Sequence, residues 1–452
     1  MKKFLCTFFL CMLTAVTLTV SAHAAADTIK VGLYFGSTAL ESADLENYVG
    51  SGYALGWFDE GTREFHEVTR VPERKLTIRP SGSGTVVTAA GSGTVLYQFG
   101  GGSGRSLGIL PDGQGRKAQT WCKGFRWYGG FEYRLDANGK LDVINVVELD
   151  DYVKGVLPYE MSPAWPLEAL KAQAVCARTY ALLPSKHYET YRFDVCNTTE
   201  CQVYQGVNLA GEMTDRAVDE TAGIVALYDG KYAETYYCSA NGGASEASEN
   251  VWSNALPYLV GKADPYEALT DVPDYHYTIR YTYSQLSQRL KESGYSIGTV
   301  KSACVSRTTP AGNVAEVTFR DTSGKTLTLT KEACRWALDT KSMRFTIDGG
   351  TASWNTTAGT LASLSDAYSL SSRGLLGLLG NGSAYAVTSD GTTELKRSTA
   401  AGSGDGITIT GTGWGHGVGM SQYGAKAMAE QGYTYEDILL FYYTGITLGS
   451  VR

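Results

Sequence analysis

The stretch from Val146 to Leu183 reads VVELDDYVKGVLPYEMSPAWPLEALKAQAVCARTYALL. Its first part alternates apolar and polar residues as far as Tyr152 and then passes a glycine and two prolines, which predicts a strand followed by turns. Its second part predicts a helix that begins at Pro166, where no backbone N–H is needed, and ends before Pro184. We therefore expect an α+β protein built around a strand, a bend and a helix.

Glu160 lies in the predicted bend, among Pro158, Met161, Pro163 and Trp165. Apolar and aromatic neighbours raise the pKa of a carboxyl group, because burial disfavours its charged form. A carboxyl group with a raised pKa can act as a general acid. The alternative is an ordinary exposed glutamate of a turn, or a helix cap.

Length and composition bound the class of protein. The chain has 452 residues, which predicts two or three domains, and its 43% hydrophobic and 19% charged residues are typical of a globular protein. The formal net charge of −7 argues against a non-specific binder of nucleic acid or of anionic membranes.

The N-terminus has the pattern of a targeting segment. Lys2 and Lys3 precede an uncharged, mainly apolar run over 4–20, and small residues follow around Ala24. This pattern predicts a signal peptide over residues 1–24 and an exported protein at the cell wall or the outer face of the membrane. An uncleaved membrane anchor is the alternative.

The rest of the chain divides by composition. Residues 25–122 contain short β-like runs between Gly/Ser-rich turns, and we expect a β-rich accessory region there. Residues 123–452 predict a mixed α/β domain, and a Gly/Ser/Thr-rich stretch over about 349–404 reads as an insertion within it.

Seven cysteines follow the predicted signal peptide: Cys122, Cys176, Cys196, Cys201, Cys238, Cys304 and Cys334. An odd number in an exported protein leaves at least one thiol unpaired or bound to a metal. Cys196 and Cys201 are the candidate zinc ligands, and a disulfide between them is the alternative. His187 and Cys238 are further candidate ligands if the fold brings them close.

Three stretches resemble the signature of the stage II sporulation protein D family (SpoIID/LytB). They are residues 149–181, Asp194–Gly206 (DVCNTTECQVYQG) and Trp414–Ala425 (WGHGVGMSQYGA), within a resemblance that extends from about Phe125 to the C-terminus. The resemblance implies a SpoIID-type catalytic domain and a lytic transglycosylase that cleaves peptidoglycan glycan strands. It also places Glu160 at the position of the catalytic glutamate, and the chemistry requires no cofactor.

The resemblance implies a set of substrate-binding residues in the same motifs. Arg178 either binds a carboxylate and orients Glu160 or forms a structural ion pair, and His416 either binds substrate or is structural. The full set is Arg178, Tyr180, Gln202, Tyr204, Ser239, Gly242, Gly243, Trp252, His416 and Gln422.

The resemblance also bears on the metal and the partners. Some family members resemble zinc proteins with ligands in the Cys196–Cys201 loop, but Glu200 stands where a histidine is common. The implied partners are denuded glycan strands, a cell-wall amidase and membrane proteins of sporulation, acting during engulfment, with no role for nucleic acid.

The rival function is a non-catalytic, wall-binding enhancer of an N-acetylmuramoyl-alanine amidase. A hydrolytic muramidase is a third, although the sequence identifies no base that would activate water.

Overall fold

The computed structural model describes residues 28–100, 104–348 and 405–451, together with the backbone of four strands between Ala352 and Thr399. The signal peptide predicted over 1–24 lies outside these residues. Most of the insertion predicted over about 349–404 also lies outside them.

The chain from Thr28 to Glu148 folds into strands that form two sheets. One sheet has the order β13-β1-β12-β11-β8-β3-β4, in which β13 (Val195–Cys196) comes from later in the chain. The other sheet has the order β10-β9-β2-β5-β6-β7. The strands of this part are β1 (Thr28–Tyr34), β2 (Ala43–Asn47), β3 (Tyr53–Phe58), β4 (Phe65–Val71), β5 (Lys75–Ser81), β6 (Gly84–Ala89), β7 (Val95–Phe99), β8 (Leu107–Pro111), β9 (Thr120–Cys122), β10 (Phe125–Trp127), β11 (Gly130–Leu135) and β12 (Leu141–Glu148).

Helices and shorter strands follow. The helices are α1 (Leu149–Glu160), α2 (Leu167–Ala181), α3 (Tyr188–Tyr191), α4 (Glu212–Glu220), α5 (Ser248–Val251), α6 (Tyr283–Glu292), α7 (Glu332–Leu338), α8 (Gln422–Glu430) and α9 (Tyr435–Tyr442). The strands are β13 (Val195–Cys196), β14 (Ile224–Tyr228), β15 (Lys231–Tyr232), β16 (Tyr237–Cys238), β17 (Ala244–Ser245), β18 (Lys262–Ala263), β19 (His276–Thr282), β20 (Val300–Thr308), β21 (Val314–Asp321), β22 (Thr326–Thr330), β23 (Phe345–Asp348), β24 (Ala352–Thr356), β25 (Gly359–Leu361), β26 (Ala384–Thr388), β27 (Gly391–Thr399), β28 (Gly406–Thr412), β29 (Met420–Ser421) and β30 (Thr447–Ser450). This mixture confirms the predicted α+β class.

The larger sheet continues across the boundary that the sequence suggested after Cys122. Strand β1 pairs antiparallel with β12, from Thr28 opposite Glu148 to Tyr34 opposite Val143, and parallel with β13. Side chains from both sides of Cys122 share one hydrophobic core with α1 and α2. The first strand is therefore an integral part of the sheet on which the motif helices pack.

Residues 149–160 form helix α1, where we expected a strand end and turns. Gly155 is not a turn glycine: a Cβ atom there would lie 2.3 Å from the ring of Tyr204, so the glycine makes room for an aromatic side chain inside the helix. Pro158 lies in the last turn, and the helix ends two residues later at Glu160. The expected helix after Pro166 is present as α2, with Pro166 at its N-cap.

A second hydrophobic core is formed by α6, α7 and the sheets that hold β19 to β23 and β28. After β28, the chain returns to the first core through β29, α8 and α9, which pack on α2. Strand β29 pairs parallel with β16, Met420 opposite Tyr237 and Ser421 opposite Cys238. This pairing brings the last motif of the chain beside α1.

Among the described residues, no helix combines the length and the apolar character that crossing a membrane requires.

Candidate active site

Glu160 is the last residue of α1 and is half-buried. Gln422 Nε2 donates a hydrogen bond to Glu160 Oε2 over 3.3 Å, and the Tyr237 hydroxyl and the Val203 backbone N–H also bond to the carboxyl group. Burial raises the pKa of Glu160 above its ordinary value, and these three donors only partly offset that effect. The carboxyl group is thus held in position and gains a proton more readily than a free glutamate.

Each of the Glu160 contacts is itself fixed. Gln422 is the first residue of α8, whose N-cap Ser421 Oγ accepts a hydrogen bond from Gly424 N over 3.0 Å. Gln202 is almost fully buried; its amide nitrogen donates to Tyr237 Oη over 3.1 Å and its amide oxygen accepts from Tyr152. With its lone pair occupied by Gln202, the Tyr237 hydroxyl is free to donate its proton to Glu160.

A cleft of about 590 Å³ opens beside Glu160. One wall is aromatic: the ring of Trp252 lies 5.0 Å from that of His416 and 4.6 Å from that of Tyr236, which lies 6.0 Å from Tyr180. The cleft is lined by Glu160, Tyr180, Lys186, Thr199, Glu200, Cys201, Gln202, Val203, Glu234, Tyr236, Tyr237, Trp252, Ser253, Asn254, Leu256 and His416. An aromatic wall with polar groups is suited to stacking sugar rings and binding their hydroxyl groups.

His416 is neutral at pH 7. Burial, reinforced by the charge of Arg335, lowers its pKa to about 4, although a hydrogen bond with the Tyr237 backbone acts in the opposite direction. Its Nδ1 accepts a hydrogen bond from the Val418 N–H over 3.1 Å. His416 is therefore suited to contacting a sugar or supporting Trp252, and not to donating a proton as an imidazolium.

A group of candidate metal ligands borders the same cleft. His187 Nε2, Cys196 Sγ and Cys201 Sγ all lie within 4.8 Å of one another, and Cys201 Sγ is 3.3 Å from His187 Nε2. One imidazole and two thiols at this spacing fit three corners of a tetrahedral zinc site. Glu200 Oε1 lies 4.0 Å from His187 Nε2, although Glu200 is outside the group of three.

The two cysteines have free thiols, as do the other described cysteines. The hydrogen bond between the two thiols lowers the pKa of Cys196 and raises the pKa of Cys201, so that it favours one thiolate in the pair, at Cys196. Of the two further ligands that the sequence suggested, His187 is in this group, whereas Cys238 is buried in β16 and is not.

Arg178 is not a cleft residue. It is fully buried, its Nε donates to Asp150 Oδ1 over 2.7 Å, and its terminal nitrogens donate to the carbonyls of Ile224 and Val218. Of the two roles that the sequence left open, the contacts correspond to the structural ion pair, which joins α2 to α1 and to the strand β14.

Tyr204 is also structural. Its hydroxyl donates to Asn145 Oδ1 over 2.7 Å, and its ring packs on Trp127 and Tyr152 in the core. It is fully buried, so it cannot contact a substrate in the cleft.

The glycine-containing loop is a third correction. Ser239, Gly242 and Gly243 do not line the cleft. The Gly242 N–H instead donates to Glu267 Oε2 over 2.9 Å, and the carbonyl of Ser239 accepts from Tyr423 N. These residues support the loop that carries His416. The other predicted residues, Tyr180, Gln202, Trp252 and His416, line the cleft, and Gln422 contacts Glu160.

Sequence reasoning missed Tyr237, Tyr236, Glu234, Lys186 and Asn254. Tyr236 and Tyr237 begin the stretch YYCSANGGASEASENVWS, in which the glycines drew attention instead of the aromatic pair. No signal in the sequence identifies Tyr237, because its place beside Glu160 depends on the pairing of β16 with β29, which leads directly into α8.

Comparisons with known proteins match the part of the chain that contains α1 and α2. Residues 137–228 match the family model described as Stage II sporulation protein (SpoIID). The chain is 29% identical over 316 residues to the stage II sporulation protein D of Bacillus subtilis, covering 66% of this chain and 74% of that protein. Residues 137–228 contain α1, α2 and the candidate metal ligands.

Two further relatives match parts of the chain. The chain is 33% identical over 313 residues to a Bacillus subtilis protein named amidase enhancer, and 46% identical over 139 residues to an uncharacterized protein of Brachyspira hyodysenteriae. The aligned parts span only 40% and 38% of those two proteins. The fold and the cleft define an α+β protein with a carboxyl group at an aromatic, sugar-sized site. Residues 137–228 are therefore similar to the SpoIID family, and the chain resembles stage II sporulation protein D over about two thirds of its length.

Proposed function

We propose that the chain is a peptidoglycan lytic transglycosylase with Glu160 as its acid and base, acting at the cell wall in sporulation. The observation that carries the proposal is the half-buried Glu160 carboxyl group, which has a raised pKa and is held by Gln422 and Tyr237 at the cleft. The substrate is the glycosidic bond between N-acetylmuramic acid and N-acetylglucosamine. Strands already freed of stem peptides are the preferred form.

One carboxyl group is sufficient for this reaction. Protonated Glu160 gives its proton to the glycosidic oxygen as the bond to C1 of muramic acid breaks, and the carboxylate then takes the proton of the C6 hydroxyl while O6 bonds to C1. The proton is regained, water is not consumed, and the product ends in a 1,6-anhydro ring. Tyr237 and Gln422 stabilise the carboxylate between the two transfers, because both donate to it.

The aromatic wall supplies binding and orientation. Trp252 and Tyr236 present ring faces for stacking, and Asn254 and Gln202 carry amide groups that can bond to hydroxyl or acetamido groups. Because these residues share the cleft with Glu160, a sugar held against them lies within reach of the carboxyl group.

A zinc ion would fit His187, Cys196 and Cys201, with Glu200 or water as a fourth ligand. When bound, zinc would supply a rigid cross-link beside the cleft, with its charge balanced by the two thiolates. Gln202 follows Cys201 directly in the chain, so fixing Cys201 also fixes the amide that orients Tyr237.

Mass spectrometry of denuded strands incubated with residues 25–452 tests the proposal, with Glu160→Gln beside the native chain. We expect 1,6-anhydromuramic ends from the native chain and none from the variant. Products with reducing ends would instead indicate hydrolysis, for which Glu234 and Glu200 are the cleft carboxylates to test as water-activating bases.

The second candidate is a non-catalytic enhancer of a cell-wall amidase, favoured by the relative named amidase enhancer. In that case the native chain cleaves no strand, a control glycosidase cleaves the same substrate, and Glu160→Gln still stimulates an amidase fully. Both candidate functions include export of the chain and membrane sporulation proteins as its partners.

A further inference from the structure

Two large aromatic side chains are exposed on the six-stranded sheet, away from the cleft. Tyr48 is 50% exposed and Trp121 is 39% exposed, and neither belongs to the hydrophobic cores. Trp121 stands directly opposite Glu46 on one neighbouring strand and Arg126 on the other. These three side chains therefore share one face of the sheet.

Basic side chains lie near the two rings and the backbone that carries them. The guanidinium of Arg126 lies 5.5 Å from the ring centre of Tyr48, and that of Arg74 donates to the carbonyl of Tyr48. Arg116 donates to the carbonyl of Val49. The aromatic–basic patch is Tyr48, Arg74, Lys75, Arg116, Trp121 and Arg126.

The patch has the opposite charge to the whole chain. Its four cations are accompanied by one carboxylate, that of Glu46, which pairs with Lys75 over 3.0 Å and with Arg74 over 3.5 Å, whereas the chain carries a formal charge of −7. A local cationic surface on an acidic protein attracts an anionic ligand selectively. Exposed aromatic faces next to guanidinium groups favour a ligand that is a sugar as well as an anion.

A short segment connects the patch to the candidate active site. The Val203 N–H bonds to Glu160, and further along the same segment Val207 N donates to the carbonyl of Arg126, while Asn208 Oδ1 accepts from Arg126 N over 2.7 Å. From Val203 to Asn208 the chain spans at most about 18 Å, even fully extended. The backbone at Asn208, beside the patch, therefore lies within the length of a few sugars of the backbone at Val203, beside Glu160.

We propose that the aromatic–basic patch is a second binding site for denuded glycan strands, outside the cleft that holds Glu160. Once the stem peptide is removed, the lactyl group of each muramic acid ends in a free carboxylate, so the strand carries one negative charge per disaccharide. Arginine guanidinium groups bind such carboxylates through paired hydrogen bonds, and Trp121 and Tyr48 stack on the sugar rings. The proposal deepens the proposed function, since it concerns the same substrate.

Binding is measured with the Glu160→Gln chain, so that cleavage cannot interfere, by co-sedimentation with denuded strands in low salt. Trp121→Ala and Arg126→Gln are compared with two matched controls, Trp336→Ala and Arg70→Gln. Trp336 is 68% exposed with a guanidinium 5.2 Å from its ring, and Arg70 is an exposed arginine of the same N-terminal region. Circular dichroism and thermal melting establish that each variant folds.

We expect about tenfold weaker binding for each patch variant, native affinity for the controls, and weaker binding by the unchanged patch as salt is added. Strands that retain stem peptides have their lactyl carboxylates blocked, and should not show the effect of Arg126→Gln. Equal binding of denuded strands by patch variants and controls would overturn the proposal. The proposal would also be overturned if the patch variants lost binding only to a phosphate polymer of the wall.

The two proposals can fail separately. If the native chain cleaves no strand while the patch variants still bind denuded strands weakly, the proposed function fails and the patch stands. If the native chain cleaves strands and binding is independent of Trp121 and Arg126, the proposed function stands and the proposal about the patch fails.

Discussion

Gln422 Nε2 lies 3.3 Å from Glu160 Oε2, although the two residues are 262 positions apart in the chain. The contact depends on the parallel pairing of β16 with β29, which directs α8 towards the end of α1. The same pairing places Tyr237 at the carboxyl group. Both donors act on one property, the ease with which Glu160 loses its proton.

Replacing Gln422 with Ala should raise the pKa of Glu160 further, because a donor that stabilises the carboxylate is lost. The alkaline limb of the pH–rate profile should therefore move to higher pH, with the maximal rate about tenfold lower because the carboxylate between the two transfers is less well stabilised. The profile is measured on denuded strands. Tyr423→Phe, the next residue of α8, is the control. A limb that stays in place or moves to lower pH would contradict the role of Gln422.

Glu160 should cost the protein stability at neutral pH. Its folded pKa lies above its ordinary value of 4.5, so the folded state holds the proton more tightly than the unfolded state. The stability that the protonated Glu160 side chain contributes is complete below about pH 4.5 and is lost as the pH rises through the folded pKa. Glu160→Gln should therefore melt at a higher temperature than the native chain at pH 7.5, and the difference should shrink at pH 4.

A control with the opposite sign is available for this stability test. Lys171 and Arg216 lower the pKa of Glu220, whose contribution is therefore present above its unfolded pKa and lost on acidification. Glu220→Gln should melt no higher than the native chain at pH 7.5. A higher melting temperature for both variants would mean that removing any charge stabilises the protein.

Arg178 should matter for stability. Arg178→Ala removes the guanidinium donor from the carbonyls of Ile224 and Val218 and leaves Asp150 without its partner, and should lower the free energy of unfolding by about 3 kcal/mol in urea. The exposed pair of Arg216 with Glu220 is the comparison, and Arg216→Ala should change stability by under about 0.5 kcal/mol. An Arg178→Ala chain that keeps its stability but loses strand binding would restore a substrate role.

Local signals predicted several elements correctly. Pro166 and Pro184 predicted the limits of α2. The Asn138-Gly139 pair, which is typical of tight hairpin turns, joins β11 to β12, and Thr434 with Asp437 has the sequence pattern of the capping box that begins α9. In each case the information is contained within a few neighbouring residues.

The errors came from tertiary contacts. Gly155 looks like a turn residue, but it is there to admit the Tyr204 ring, which lies 49 positions later in the chain. Tyr237 gives no sequence signal for contacting Glu160, because the contact requires β16, β29 and α1 to assemble first. Arg178 left two roles open until its buried partners were visible.

The cluster of His187, Cys196 and Cys201 should bind zinc at about one ion per chain, since it offers an imidazole and two thiols within 4.8 Å. We expect His187→Ala, Cys196→Ser and Cys201→Ser each to lose the metal, measured by elemental analysis of the purified protein. Removing zinc with a chelator should lower the melting temperature of the native chain, because a ligand that binds only the folded state stabilises it.

Cys304→Ser is the control for these cysteine variants, because Cys304 is half-buried in β20 and lies outside the cluster. It should keep both the metal and the melting temperature. A native chain that contains no zinc and has a mass two hydrogens lower, restored by a reductant, would show a disulfide between Cys196 and Cys201 in place of the metal. Since Cys201 precedes Gln202, which orients Tyr237 at Glu160, loss of the metal should also reduce strand cleavage.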